Sequence, residues 1–312
     1  MEDTKRPVVC LMGPTAAGKT ELALSLYDRG GVDLISVDSA MVYRGMDIGT
    51  AKPSPAVQAR APHALIDIRD PAQAYSAAEF VADAKPLIEA SRQAGRIPLL
   101  VGGTMLYFRS LLYGLSHLPA ADTGIRARME AEADRLGWPA LHERLSQADP
   151  ETAARLHRND AQRIQRALEV YVLTGQPISQ LQASTSLEPL SGPVVKVGVM
   201  PAERRILHER IEARFSAMLA DGVIDEVAAL RARADIHPDL PSMRAVGYRQ
   251  IWDYLAGRMR REDLLFRGTV ATRQFARRQV TWLRRETDLV WLDPLEKKPC
   301  DRLSDLINRV IA

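Results

Sequence analysis

A chain of 312 residues with 46% hydrophobic and 26% charged side chains has an ordinary soluble globular composition, long enough for one large domain or for a core domain with an insertion. Two cysteines without a CxxC pair and six histidines without an HExxH argue against a disulfide framework and a zinc site. The formal net charge is only +3, and the charged opening Met1 to Pro7 leads straight into a short apolar run, which fits neither a signal peptide nor a spanning helix, so a cytoplasmic protein with no membrane partner is expected.

In chain order, Pro7 to Met12 reads as the first strand. It runs into Gly13-Pro14-Thr15-Ala16-Ala17-Gly18-Lys19-Thr20, which satisfies GxxxxGK[ST] between a predicted strand and a predicted helix. Backbone N–H groups of such a loop face phosphate oxygens, Lys19 adds a point charge, and the Thr20 hydroxyl can reach Mg²⁺. A di- or triphosphate is therefore the expected ligand, but the loop cradles oxygens and does not identify the group they carry. Val32 to Asp38 reads as a second strand. It is the one apolar strand ending in an acid, so Asp38 is either a metal-side carboxylate or a catalytic base, with a plain N-cap as the structural alternative.

Ser76 with Glu79 forms a capping box for a helix running to about Gln93, and Ile97 to Val101 is a further strand ending in Gly102-Gly103-Thr104. From Leu118 to Gln182 the pattern turns to charged, Ala- and Leu-rich helices broken at Gly137, Pro150 and Gly175. Val194 to Met200 returns as a strand, and Pro201 reads as the first turn of a helix. A long helix from Glu262 to about Arg285, a strand Leu289 to Leu292 and an amphipathic final helix complete the chain. The expected class is α/β: a P-loop NTPase-like parallel sheet flanked by helices, with a core at 1–117 and 191–312 and an all-helical insertion at 118–190. Between Arg244 and Arg285 stand eleven arginines, two aspartates and one glutamate, a local excess of +8 that suits a phosphate backbone.

Several segments together resemble the tRNA dimethylallyltransferase family. They are GPTAAGKT (Gly13 to Thr20), DSAMVYRGMDIGTAKP (Asp38 to Pro53), VGGTMLY (Val101 to Tyr107), QRIQR (Gln162 to Arg166), RAVGYRQ (Arg244 to Gln250) and RRQVTWLR (Arg277 to Arg284). The match spans nearly the whole chain in order, and the segment after Asp38 is far more specific than the phosphate loop. Ala17 stands where the family usually has Ser, and Ala64 where it often has a second His.

The resemblance implies that an adenine amine of tRNA, on the adenosine 3′ to the anticodon, attacks the first carbon of dimethylallyl diphosphate, and that diphosphate leaves. The phosphate loop then serves a leaving group, with Lys19, Mg²⁺ near Thr20 and Arg214 neutralising its charge. Asp38 takes the amine proton and Thr104 positions the amine or Asp38. Arg214 can also be read as a solvated arginine on an amphipathic helix, and Thr104 as a plain turn threonine. The base must leave the anticodon stack to reach a carboxylate. Resemblance places Ser39, Ala40, Met41, Arg126, the segment Gln162, Arg163, Ile164, Gln165 and Arg166, the segment Arg244, Ala245, Val246, Gly247, Tyr248 and Arg249, and Arg277, Arg278, Gln279 and Arg284 at the RNA. A monomer is expected. Three rivals share part of the pattern: a prenyltransferase acting on free adenosine nucleotides shares the phosphate loop and Asp38, a P-loop kinase shares the loop, and a nucleotide-gated RNA-binding protein fits the basic stretch. None of them accounts for the segment after Asp38 together with the basic stretch.

Overall fold

The computed structural model describes residues 6–116, 118–184 and 188–311. They fall into two compact units, one reaching to Leu112 and resuming at Leu190, the other Tyr113–Pro189.

The larger unit opens with β1 (Val8–Met12), α1 (Lys19–Asp28), β2 (Val32–Val37), α2 (Pro55–Arg60), β3 (His63–Ala64), α3 (Ala77–Gln93), β4 (Ile97–Gly102) and α4 (Met105–Tyr113). The smaller unit holds α5 (Thr123–Leu136), α6 (Trp138–Ala148), α7 (Pro150–Arg155), α8 (Ala161–Thr174) and α9 (Ile178–Ser184). The larger unit resumes with β5 (Val194–Val199), α10 (Arg204–Ala220), α11 (Val223–Arg231), α12 (Tyr248–Leu255), α13 (Arg261–Leu283), β6 (Leu289–Leu292) and α14 (Pro299–Ile311).

Among the described residues the strands form one sheet in the order β3-β2-β4-β1-β5-β6, every pair parallel. A parallel sheet is covered on both faces, so its central strands read as unbroken apolar runs, and β1 (VVCLM) is buried at every position. Alternation along it divides the core in two. Val8, Cys10 and Met12 face a cluster with Phe80, Phe108 and Ile251, while Val9 and Leu11 face Leu22, Leu26 and Leu303. The expected α/β class and capping box are both present: Ser76 Oγ accepts from Glu79 N–H at 3.2 Å and Glu79 Oε2 accepts from Ser76 N–H at 2.8 Å.

Two expectations need correction. Pro201 does not open a helix. The Met200 N–H bonds Leu292 O, the Ala202 N–H bonds the Asp293 side chain, and α10 begins only after its N-cap Glu203. These bonds to β6 and the turn after it hold the chain off helical geometry for three residues. The second is a strand that pattern reading passes over: β3 is two residues long, too short to show a period, and exists because Leu34 and Ile35 of β2 pair with His63 and Ala64. Ala64 packs against the apolar cluster and His63 lines a cavity, so the alanine at position 64 sits on the core side of its strand. No helix among the described residues is long and apolar enough to cross a membrane.

In the smaller unit the three anticipated breaks are helix ends. Gly137 joins α5 to α6, Pro150 opens α7, and Gly175 closes α8 in the left-handed region. Buried Asp149 ties α7 to α9, accepting the N–H and hydroxyl of Thr152 and of Ser179 at 2.8–3.0 Å.

Candidate active site

A parallel sheet gathers its loops at the carboxyl ends of the strands, where order reverses beside the first strand. Here a cavity of about 400 Å³ is walled by the loop after β1 (Thr15, Ala16, Lys19), the loop after β2 (Asp38 to Met41, Gly49 to Ala51), the turn after β4 (Gly102 to Thr104), α10 (Arg214, Phe215) and α13 (Arg278, Gln279). A second cavity of about 640 Å³ is lined by Gly18, Ser25, Arg210 and Pro294. Ala16, Lys19, Thr20 and Arg214 line both.

The phosphate loop owes its path to close packing. A Cβ on Gly13 would meet Val199 O at 2.5 Å, and Gly18, with φ +92°, caps α1 in a conformation that side chains resist. Ala16 is held at φ +63°, an uncommon setting for alanine that the surrounding loop fixes. Ala17 is buried among the core residues of α1, so the departure from serine falls largely against apolar packing. Lys19 Nζ donates to Gly13 O at 3.0 Å and Pro14 O at 2.7 Å. Burial, then the charge of Arg214, draws its ammonium down to about 8, with Asp38 and Glu21 acting in the opposite sense. Burial also lowers the Arg214 guanidinium, which donates to Thr50 O at 3.2 Å. Its place in the cavity wall is not that of a solvated helix-face arginine.

Asp38 does not cap a helix. Its Oδ1 accepts the Ala40 N–H at 2.8 Å and the Met41 N–H at 3.2 Å, an Asx turn that fixes the carboxylate in the cavity wall. Thr104 Oγ1 accepts the Ser39 N–H at 3.0 Å and donates to Ser39 Oγ at 3.3 Å, while the Thr104 N–H bonds Val37 O. Thr104 thus clamps the residue next to Asp38, and Asp38, Thr104, Lys19 and Arg214 all line one cavity.

Three residues build this wall through tertiary contacts that the sequence does not show. Gln279 Oε1 accepts the Thr15 N–H at 3.0 Å and its amide donates to Gly103 O at 2.8 Å, so it ties α13 to the phosphate loop and to the β4 turn. A Cβ on Gly103 would lie 2.3 Å from that amide, which is why a glycine stands there. Lys52 buries its ammonium between Tyr43 O (2.8 Å), Asp47 (2.5 Å) and Asp67 (2.5 Å), fixing the loop after Asp38. Glu226 holds the same loop from α11.

The residues expected at RNA divide by location. Ser39, Ala40, Met41, Arg244, Ala245, Val246, Tyr248, Arg278 and Gln279 line the cavity. Arg249, Arg277 and Arg284 are exposed, whereas Gly247 and Tyr248 are buried and Tyr248 donates its hydroxyl to Glu226 at 2.5 Å. On the smaller unit Gln162 and Arg163 are exposed, and Arg163 pairs with Asp160 at 2.5 Å. Ile164 is buried in that unit's core, and buried Gln165 donates to Glu130 at 3.1 Å and Arg126 O at 3.3 Å.

Arg126 and Arg166 converge on one fully buried carboxylate. Arg126 donates to Glu169 at 2.8 and 3.0 Å, Arg166 at 2.6 Å, and the Asp122 N–H completes the set at 2.8 Å. Burial pushes the Glu169 carboxyl up, but the bonds from Arg126, Arg166 and Asp122 outweigh it and leave the group below its usual 4.5. A depressed carboxyl stabilises the fold above its unfolded value, so this contribution is lost as pH falls below about 4.5. Glu169→Ala is expected to destabilise the smaller unit by about 3 kcal/mol. Thermal unfolding at pH 7 followed by circular dichroism checks this, and an unchanged midpoint would mean that the ion cluster carries no net stability.

The model of the IPP transferase family matches residues 41–286. A tRNA dimethylallyltransferase of Halorhodospira halophila is 60% identical over 282 residues, covering 90% of this chain and 91% of that protein. One of Alkalilimnicola ehrlichii is 58% identical over 307 residues, covering 98% and 96%. The crystal structure of the full-length tRNA isopentenylpyrophosphate transferase from Bacillus halodurans superposes with a TM-score of 0.70 at 36% identity, covering 98% of both chains.

Proposed function

Because the chain belongs to the IPP transferase family, that of the tRNA dimethylallyltransferases, we propose that it transfers a dimethylallyl group from dimethylallyl diphosphate to the N6 amine of the adenosine 3′ to the tRNA anticodon. The observation that carries this reading is one cavity wall holding a carboxylate pinned by two N–H groups together with the cations Lys19 and Arg214. The amine nitrogen attacks the first carbon of the allyl group. The bond from that carbon to oxygen breaks, its electron pair leaves on diphosphate, and the amine proton passes to Asp38.

The adenine amine is a weak nucleophile because its lone pair is delocalised into the ring, so proton removal in step with bond formation lowers the barrier. Lys19 and Arg214 face the charge that develops on the leaving oxygens. Thr104, bonded to Ser39, keeps the Asp38 turn in register. Mg²⁺ fits the same corner. Among the described residues no cluster of three His, Cys, Asp or Glu is placed to hold a metal, and Thr20 offers one hard oxygen in both cavities, which suits an ion that keeps water and diphosphate oxygens as its other ligands. When bound, it supplies further neutralisation of the diphosphate.

The adenine reaches Asp38 by leaving the anticodon stack and entering the cavity past Met41, Val246 and Arg278, with the exposed arginines of α13 and the α12 approach against the anticodon stem-loop. Arg278→Glu is accordingly expected to weaken RNA binding and to flatten its log–log salt dependence by about one unit of slope. Titration of an anticodon stem-loop at several salt concentrations measures both, and an unaltered slope would place Arg278 off the RNA. A cytoplasmic monomer completes the reading.

The deciding experiment incubates the purified protein with Mg²⁺, labelled dimethylallyl diphosphate and either bulk tRNA or free AMP. Label in the RNA alone, mapped to the adenosine 3′ to the anticodon, is the expected result. Label in AMP makes the free-nucleotide prenyltransferase correct, and label in neither acceptor returns the field to the kinase and the RNA-binding protein.

A further inference from the structure

Glu226 sits in the first turn of α11 and lines neither cavity, yet its carboxylate organises the wall of the first. Oε2 accepts the N–H of Asp47 at 2.8 Å and of Ile48 at 2.7 Å, and Oε1 accepts the N–H of Gly49 at 3.0 Å and the Tyr248 hydroxyl at 2.5 Å. Three successive backbone donors and a phenol converging on one carboxylate require an acceptor of full negative charge with both oxygens in use. Gly49 also lies against the Tyr248 ring, where an added Cβ would come within 2.5 Å of a fully buried side chain that cannot yield. The next residue, Thr50, donates its hydroxyl to Met46 O at 2.7 Å and offers its own carbonyl to Arg214 at 3.2 Å. Burial and the Glu226 charge keep the Tyr248 phenol far above its ordinary value, so it stays a donor. A continuous chain of contacts thus runs from Glu226 through residues 47–50 to the arginine in the cavity.

We propose that Glu226 is a positioning residue: it fixes the loop 47–50 so that the Thr50 carbonyl aims the Arg214 guanidinium at the diphosphate. The inference rests on the reading of Arg214 as a diphosphate ligand. Glutamine cannot replace Glu226, because its amide has one acceptor oxygen and turns an NH₂ group toward a backbone N–H. The loop would keep its sequence and lose its anchor.

The test is a double-mutant cycle on the full chain, titrating inorganic diphosphate with Mg²⁺ calorimetrically and recording each variant's melting temperature. Glu226→Gln is expected to weaken diphosphate about tenfold, Arg214→Gln about thirtyfold, and the double variant no more than Arg214→Gln alone, the non-additivity of groups acting as one unit. Multiplicative losses in the double variant would overturn the proposal, as would a tight-binding Glu226→Gln beside a weak Arg214→Gln. Wild-type affinity in Arg214→Gln would instead remove the role of Arg214, and the positioning role with it. If Glu226→Gln does not fold, Tyr248→Phe removes one hydroxyl and leaves every N–H bond in place. Its expected loss is about threefold and vanishes in the Arg214→Gln background, whereas an equal loss in both backgrounds refutes the proposal.

Discussion

Replacing Asp38 by alanine is expected to lower single-turnover prenyl transfer by about 10³-fold, within the usual range for a lost general base, while diphosphate and RNA binding change little. The side chain has two tasks, and they can be separated. Its Oδ1 holds the turn through the N–H groups of Ala40 and Met41, and the carboxylate as a whole is the only acid the β2 strand end presents to the cavity. Asp38→Asn retains an oxygen for the two N–H groups but cannot accept a proton. If the chemistry is proton abstraction, the asparagine variant falls as far as the alanine variant. Recovery of most activity in Asp38→Asn would reduce Asp38 to a turn residue and pass the proton to water or to the diphosphate itself.

How much of this site the sequence discloses depends on whether a residue's partners are local. The phosphate loop, Asp38 and the Gly102-Gly103-Thr104 turn are legible because each follows an apolar strand whose end is itself legible, and a parallel sheet brings such ends together. Gln279 and Glu226 are not legible in this way. Their partners lie 264 residues away at Thr15 and 177 residues away at Gly49, and nothing in a single chain's pattern announces either pairing. The resemblance places Tyr248 and Gln279 at the RNA; in the fold both line the cavity, the Tyr248 hydroxyl bonds Glu226 and the Gln279 amide bonds Gly103. The resemblance places Arg126 and Arg166 at the RNA as well, and the fold sets the buried acceptor Glu169 between them. In each case the sequence shows the donor and the fold supplies the acceptor.

Lys19→Met is expected to lower diphosphate affinity and turnover by about 10²-fold or more, since it deletes a preorganised cation facing the developing charge. It also removes a pH dependence that identifies the residue. Burial and Arg214 draw Lys19 down to about 8 in the free protein, so the ammonium is charged below that pH and is lost as pH rises through it. Bound diphosphate favours the charged form and raises the group again, so binding above pH 8 takes up a proton and weakens as pH climbs, by up to about tenfold per unit. The same linkage acts on folding with the opposite slope: the unfolded lysine titrates near 10.5, so between 8 and 10.5 the unfolded chain binds more protons and this group's contribution to stability rises with pH. Calorimetry at pH 9 in buffers of different ionisation enthalpy reads the proton directly. Uptake in the wild type that disappears in Lys19→Met assigns it to the lysine, whereas equal uptake in both assigns it to the diphosphate and leaves Lys19 charged throughout.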